Sequence, residues 1–290
     1  MTDYPMQPIR QKLSALSLAV LGSVGLVFSI APAKAQGKLD ATYTASLAGI
    51  PLGRGVWVID IGEGQYSAIT SGITTGMLNV FASGQGTGIA RGYVSNGTLV
   101  PSTYGAQIKA AKWSEDLQMT IVGGVVREMS IEPTPQPQPD RIPVTEAHRK
   151  GITDPMTGSL VRVAGNGDPV SPEACTPTTS IFDGRLRYDL RLAFKRIEKV
   201  KADKGYIGPA VVCAVYFTPV AGYIPDRAAI KHLTNQRDME AYLVPIAGTR
   251  ILVPFRMTIP TPLGTAALQA NQFLTTAQPP RLTPANVKSQ

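Results

Sequence analysis

Beyond residue 38 the chain alternates apolar and polar residues with a period of two. Leu39, Ala41, Tyr43, Ala45 and Leu47 interleave with Asp40, Thr42, Thr44 and Ser46. A strand sends successive side chains to opposite faces, whereas a helix repeats every 3.6 residues, so this pattern specifies half-buried strands. Punctuation is frequent. The segments around Ala48-Gly49-Ile50-Pro51, Gly62-Glu63-Gly64, Asn96-Gly97, Gly123-Gly124, Ala247-Gly248 and Pro262-Leu263-Gly264 all read as turns. Asn96-Gly97 is the strongest hairpin signal. Asn96-Gly97-Thr98 also matches a glycosylation sequon, and the turn reading is preferred.

These signals predict about eleven or twelve strands and one or two short helices. The stretch TTGMLNVFASG breaks the period, as one helical turn or a bulge. Proline at every second position from Pro133 to Pro139 makes 133–143 an extended surface loop. Asp154 followed by Pro155 predicts a helix start. Glycines inside strands, at 72, 84, 86, 88, 92 and 105, suit a sheet that bends. The expected fold is mainly β: a curved antiparallel sheet forming a β-barrel or half-barrel. It occupies residues 36–274 as one domain, followed by a disordered tail at 275–290.

The N-terminus has basic Arg10 and Lys12, an uncharged run from Leu13 to Ile30, and Ala33 and Ala35 at the positions of a small-residue cleavage site. This order predicts a signal peptide over residues 1–35, cut between Ala35 and Gln36, and a periplasmic protein. The competing reading is an uncleaved anchor, which Gly22 and Gly25 weaken. No second run is long enough for a transmembrane helix after cleavage. Cleavage removes Arg10, Lys12, Lys34 and Asp3, lowering the formal net charge from +8 to +6. Without a dense basic run carrying aromatics, no nucleic acid partner is expected. Cys175 and Cys213 are an even pair in an exported chain, so they predict one disulfide.

Residues 181–208 concentrate charge. Phe182, Leu186, Tyr188, Leu190, Leu192 and Phe194 fall on even positions, and Asp183, Arg185, Arg187, Asp189, Arg191 and Lys195 on odd ones. That predicts one strand with a solvated ladder of alternating sign. Its functional counterpart is a polar binding wall of Asp183, Arg185, Arg187 and Asp189 facing a headgroup or partner. The returning strand from Ala210 to Phe217 is apolar on both faces and predicted to be central. Other chemistry is thin. Gly84, Gly86 and Gly88 lack the spacing and helix of a dinucleotide loop. Ser159, His148 and Asp154 have no nucleophile elbow. His148 and His232 have no metal-ligand spacing. No catalytic residue, metal or cofactor is expected.

At Phe182-Asp183-Gly184 and Arg187-Tyr188, with Gly49, Ile50, Gly53, Asp154-Pro155 and Gly205, the chain resembles the exported bacterial proteins grouped as domain of unknown function 3108. The pieces are scattered over most of the chain, and the paired cysteines depart from the general pattern. The resemblance implies a curved antiparallel sheet in the cell envelope and carries over no catalytic residue. Two functions follow as expectations. One is non-catalytic binding of a lipid-like ligand or an envelope protein partner. The other is hydrolysis of an envelope polysaccharide or lipid by paired carboxylates among Glu115, Asp116, Glu128 and Glu132. A helix after Asp154 competes with the pocket, because Met156, Leu160 and Val161 would plug it.

Overall fold

The computed structural model describes residues 36–75 and 84–278. The apolar N-terminal segment with its cleavage site, the aperiodic stretch after Thr75 and the end of the tail lie outside the described residues. Seven strands form a meander: β1 (Gly37–Leu47), β2 (Ile50–Ile61), β3 (Gln65–Thr74), β4 (Gly84–Ser95), β5 (Thr98–Ala110), β6 (Ser114–Val122) and β7 (Val125–Glu132). A crossover carrying the short helix α1 (Pro155–Gly158) leads to β8 (Val161–Arg162), β9 (Thr178–Phe182), β10 (Arg187–Lys201), β11 (Lys204–Gly205) and β12 (Ile207–Ala221). Helix α2 (Ala228–Asn235) precedes β13 (Glu240–Pro245), β14 (Ile251–Thr261) and β15 (Gly264–Ala277).

The hydrogen-bonded path runs β7-β6-β5-β4-β3-β2-β1-β15-β14-β13-β12-β10-β9. The sheet is antiparallel and does not close, and only β11 pairs in parallel, with β15. Asn96 and Gly97 have φ of 50° and 74°, which the two-residue β4–β5 hairpin requires and which asparagine and glycine supply cheaply. β15 runs further than the expected boundary at 274. Its last residue, Ala277, still pairs with Gly37, so the first residues of the tail belong to the sheet.

One cluster lines the inside of the curve, with Leu39, Ala41, Ile59, Ala68, Ala90, Phe255 and Phe273 fully buried. Met156 and Leu160 join it, and Tyr66 Oη lies 2.7 Å from Thr157 Oγ1, so α1 is seated inside the curve. Val161 does not share the plug. It pairs with β14 and belongs to a second cluster on the sheet's other face. That cluster covers Val211, Cys213 and Val215, while Ala210 and Val212 face inward, so β12 is buried on both sides. The Cys175–Cys213 disulfide, with Cα atoms 5.4 Å apart, fastens the covering segment to β12.

The ends of the path are joined by another route. Lys150 bridges Val125 of β7, and Ile152 N donates to Gly124 O at 3.0 Å. Thr153 N donates to Ser180 O at 2.9 Å, and Phe182 N donates to Thr153 O at 3.0 Å. Residues 150–153 thus lace β7 to β9. Fully buried Phe182 fills the seam beside Leu117, Met119, Ile121, Val126 and Ile152.

The seam corrects the reading of residues 182–195 as one solvated strand. β9 ends at Phe182 and β10 begins at Arg187. Between them Asp183 Oδ1 accepts the N–H groups of Arg185 at 2.8 Å and Leu186 at 2.6 Å, an Asx-type turn. Gly184 sits at φ 96°. A bulge between Phe194 and Arg196 then exchanges the faces of β10. Phe194 aligns with Cys213 on the covered outer face, whereas Arg196 aligns with Val212 on the inner one. Local alternation survives both events, but the charges do not share one face.

Gly184 is held twice over. Its φ strains any L-residue by on the order of 1–2 kcal/mol, and a Cβ there would stand 2.5 Å from Leu117 Cδ1. Gly184→Ala is expected to lower unfolding free energy by about 2 kcal/mol or more in urea titrations. The double variant with Leu117→Ala should lose less than the sum of the single losses, because the truncated leucine removes the collision.

Candidate functional site

Cross-strand partners share a face, so the register maps the inside of the curve row by row. One row reads Leu39–Ile59–Ala68–Ala90–Tyr104–Met119–Met129. Its four leading members are fully buried. The next reads Ala41–Trp57–Thr70–Gly88–Ala106–Leu117–Ile131. Here α1 still covers the sheet, since a Cβ on Gly88 would stand 3.2 Å from Met156 Sδ. The third row is Tyr43–Gly55–Gly72–Gly86–Ile108–Glu115. Three adjacent strands contribute glycine. Among the described residues, a Cβ on Gly72 or Gly86 would meet only the backbone of a neighbouring strand, at 3.5 Å or more. On β2, β3 and β4 the packed core therefore ends between the second and third rows, and a glycine floor continues beside buried Tyr43.

One wall of the inner face carries charge. Arg196, Val212, Tyr242 and Arg256 align across β10, β12, β13 and β14, and Glu240 lies two residues from Tyr242. Arg196 grips Glu240 with both terminal nitrogens, at 2.9 and 3.1 Å. Lys195 Nζ reaches the same carboxylate at 2.6 Å. Tyr242 Oη accepts from Arg196 at 2.8 Å and donates to Glu240 at 3.0 Å. The Arg196 and Arg256 guanidinium carbons lie 5.6 and 5.3 Å from the Tyr242 ring centroid. Arg196 is the main reason that Glu240 is pushed down to about 2. The inner face thus carries a glycine row on β2–β4 and an Arg–Tyr–Glu cluster on β10–β14.

The residues singled out in the sequence are dispersed. Asp183 builds the seam turn. Arg185 crosses the seam to bond Glu115. Arg187 Nη1 donates to Asp189 Oδ1 at 2.7 Å, and Ser180 Oγ donates to the same oxygen at 2.8 Å. The expected binding wall of Asp183, Arg185, Arg187 and Asp189 is therefore not one surface. The wall that does form needs register between distant strands, which no local motif encodes. Of the hydrolase carboxylates, Glu115, Asp116 and Glu132 border one open groove at the end of β5–β7, and Glu128 stands apart from it. Glu115 is held by Arg185 on the inner face. Asp116 lies opposite Glu132 on the outer face, where its Oδ2 accepts from Gln107 at 2.6 Å. Glu128 is opposite Thr120. Asp116 and Glu132 project side by side from one sheet, rather than converging across a cleft. His148 Nδ1 accepts from Thr145 N, and Ser159 Oγ donates to Pro155 O, so these two do not meet each other. Among the described residues no three His, Cys, Asp or Glu side chains gather as metal ligands. Nor is any helix among them long and apolar enough to cross a membrane.

Residues 42–271 match the family described as Protein of unknown function (DUF3108), from β1 into β15. The chain belongs to this family. No curated protein matches the sequence significantly. Among solved structures, it is similar to a beta-barrel-like protein of domain of unknown function DUF1849 from Brucella abortus. That likeness is 10% identical with a TM-score of 0.42, and covers 84% of this chain and 98% of that one.

Within this family member two carboxyls lie deep beside the seam. Asp154 caps α1, its Oδ1 accepting from Met156 N and Thr157 N at 2.9 Å. Its Oδ2 is buried without a partner among the described residues. Burial raises Asp154, and burial likewise raises Asp183, in both cases against the hydrogen bonds they accept. Burial also raises Tyr104 and Tyr188, with the charges of both aspartates adding to it. A carboxyl raised on folding contributes stability that is complete below its unfolded value near 3.9 and is lost as pH climbs through its folded value. Asp154→Asn keeps an oxygen for the cap and removes the buried charge. Its unfolding free energy relative to wild type should rise with pH across that window and then level off, in denaturation series from pH 3.5 to 8.

Proposed function

We propose that this protein is exported to the cell envelope and works there by binding, not by catalysis. Its ligand is lipid-like, held on the half-filled concave face. The observation that carries this reading is the end of the core at the glycine row. There, inner-facing positions that would hold side chains in a fully packed barrel are Gly55, Gly72 and Gly86. A surface of backbone and small residues accepts an extended chain closely, and Ile108 at the end of the row is 41% exposed. The wall of Arg196, Tyr242 and Arg256 suits the polar end of an amphiphile.

Export is checked by intact mass. Protein recovered from the periplasm of its host should begin at Gln36, and a membrane-bound product retaining residues 1–35 would contradict it.

Binding is checked by native mass spectrometry of protein from its own envelope, with displacement of a fluorescent fatty acid as the second readout. Gly86 has no left-handed φ, and a Cβ there makes only ordinary contact, so Gly86→Leu is compatible with the strand and fills the floor. Its affinity for the fatty acid is expected to fall tenfold or more with an unchanged circular dichroism spectrum. Unchanged affinity in folded Gly86→Leu, or no lipid and no displacement in wild type, would rule the reading out.

A further inference from the structure

β14 and β15 pair from Arg256–Gln269 to Thr261–Gly264 and then part. Before Arg256, β14 turns toward β13 and β8, while β15 continues beside β1 and β11. The parting leaves a slot of about 260 Å³, lined by Tyr242, Phe255, Arg256, Gln269 and Asn271 and roofed by the end of β10. The slot has room for a compact polar group such as a phosphate or carboxylate.

The charges in the slot are unevenly satisfied. Arg196 is committed to Glu240 and Glu198, so the one glutamate lining the slot is already held. Arg256 lies against the Tyr242 ring, is only partly exposed, and among the described residues has no acidic partner. Lys199 and Lys201 border the slot at the end of β10, but they alternate with inward-facing Glu198 and Val200, so Arg256 is the cation that faces into it. A partly desolvated guanidinium fixed on an aromatic face favours a planar or tetrahedral oxyanion. The amides of Gln269 and Asn271 add hydrogen-bonding groups beside it.

We propose that this slot is an anion subsite of the phosphate or carboxylate class, with Arg256 as its principal ligand. Resting on the binding function above, it receives the headgroup of an acidic amphiphile whose chain follows the glycine floor. The two regions adjoin through Tyr43, which pairs with Ala270 at the slot and with Gly55 on the floor.

Calorimetric titration of the protein without its signal segment separates this inference from the function it rests on. The probes are dodecyl phosphate, its uncharged dimethyl ester and inorganic phosphate. Dodecyl phosphate is expected to bind at least tenfold tighter than the ester, with the difference shrinking as salt is raised. Arg256→Gln should abolish that difference and leave ester affinity unchanged. Lys201→Gln, which removes a charge from the other face of β10, should leave the difference unchanged and serves as the folded control. Equal affinity of wild type for phosphate and ester would overturn the subsite while leaving lipid binding intact, as would a difference that survives in folded Arg256→Gln. Arg256-dependent binding of inorganic phosphate with no gain from the dodecyl chain would uphold the subsite as a free-anion site and sink the lipid reading. No binding of any probe would overturn both.

Discussion

The sheet ends in two strand edges, on β7 and β9, and residues 150–153 lace the Gly124–Val125 end of β7 to β9. An unpaired edge exposes a row of N–H and C=O groups, which costs free energy when buried and invites association when exposed. Here the backbone of Ile152 and Thr153 reaches Gly124 on one side and Ser180 and Phe182 on the other. The same segment leads directly into α1, whose Met156 and Leu160 enter the core. Lacing the two ends and plugging the curve are therefore one structural event. The seam fixes where α1 sits, α1 fixes where the core ends, and the end of the core exposes the glycine floor.

The Phe182-Asp183-Gly184 stretch is committed to this seam. Phe182 fills the seam, Asp183 ties the turn with its own side chain, and Gly184 lets the turn press on Leu117. None of this is chemistry on a ligand. The charged residues that follow are likewise spent on the fold: Arg185 spans the seam to Glu115, and Arg187 and Asp189 pair beside Ser180. The charge of residues 183–189 is not simply a wet strand face, since burial raises Asp183.

What was legible in the sequence was whatever a strand decides locally. The alternation in Leu39–Leu47, the Asn96-Gly97 hairpin, the Asp154 cap and the central burial of Ala210–Val215 all follow from neighbours within a few residues. What was illegible depends on events that leave alternation intact. A turn that consumes an even number of residues, as Asp183–Leu186 does, returns the chain in phase, so the pattern reads straight across it. Asp-Gly is itself a turn signal, and periodicity on both sides overrode it. The bulge at Lys195 is similar. One added residue exchanges the faces of β10, and only pairing with β12 shows which of Phe194 and Arg196 points inward. The Arg196–Tyr242–Arg256 wall is assembled by that exchange, from residues 14 to 60 positions apart, and had no motif to announce it.

Three glycines in one cross-strand row are a poor way to stabilise a sheet. Each weakens its strand by roughly 0.5–1 kcal/mol relative to alanine, and none of Gly55, Gly72 and Gly86 has the positive φ that would require glycine. A Cβ on Gly55 would stand 3.0 Å from Ser71 O, so a close backbone approach accounts for that glycine, whereas at Gly72 and Gly86 a Cβ would make only ordinary contact. Those two positions have room for a side chain and hold none. A barrel selected only for stability would fill that row and replace the wall with apolar residues, since paired charges seldom repay their desolvation. Keeping glycines at positions with room for a side chain, and an inner-facing arginine that among the described residues has no acidic partner, gives up stability at both places.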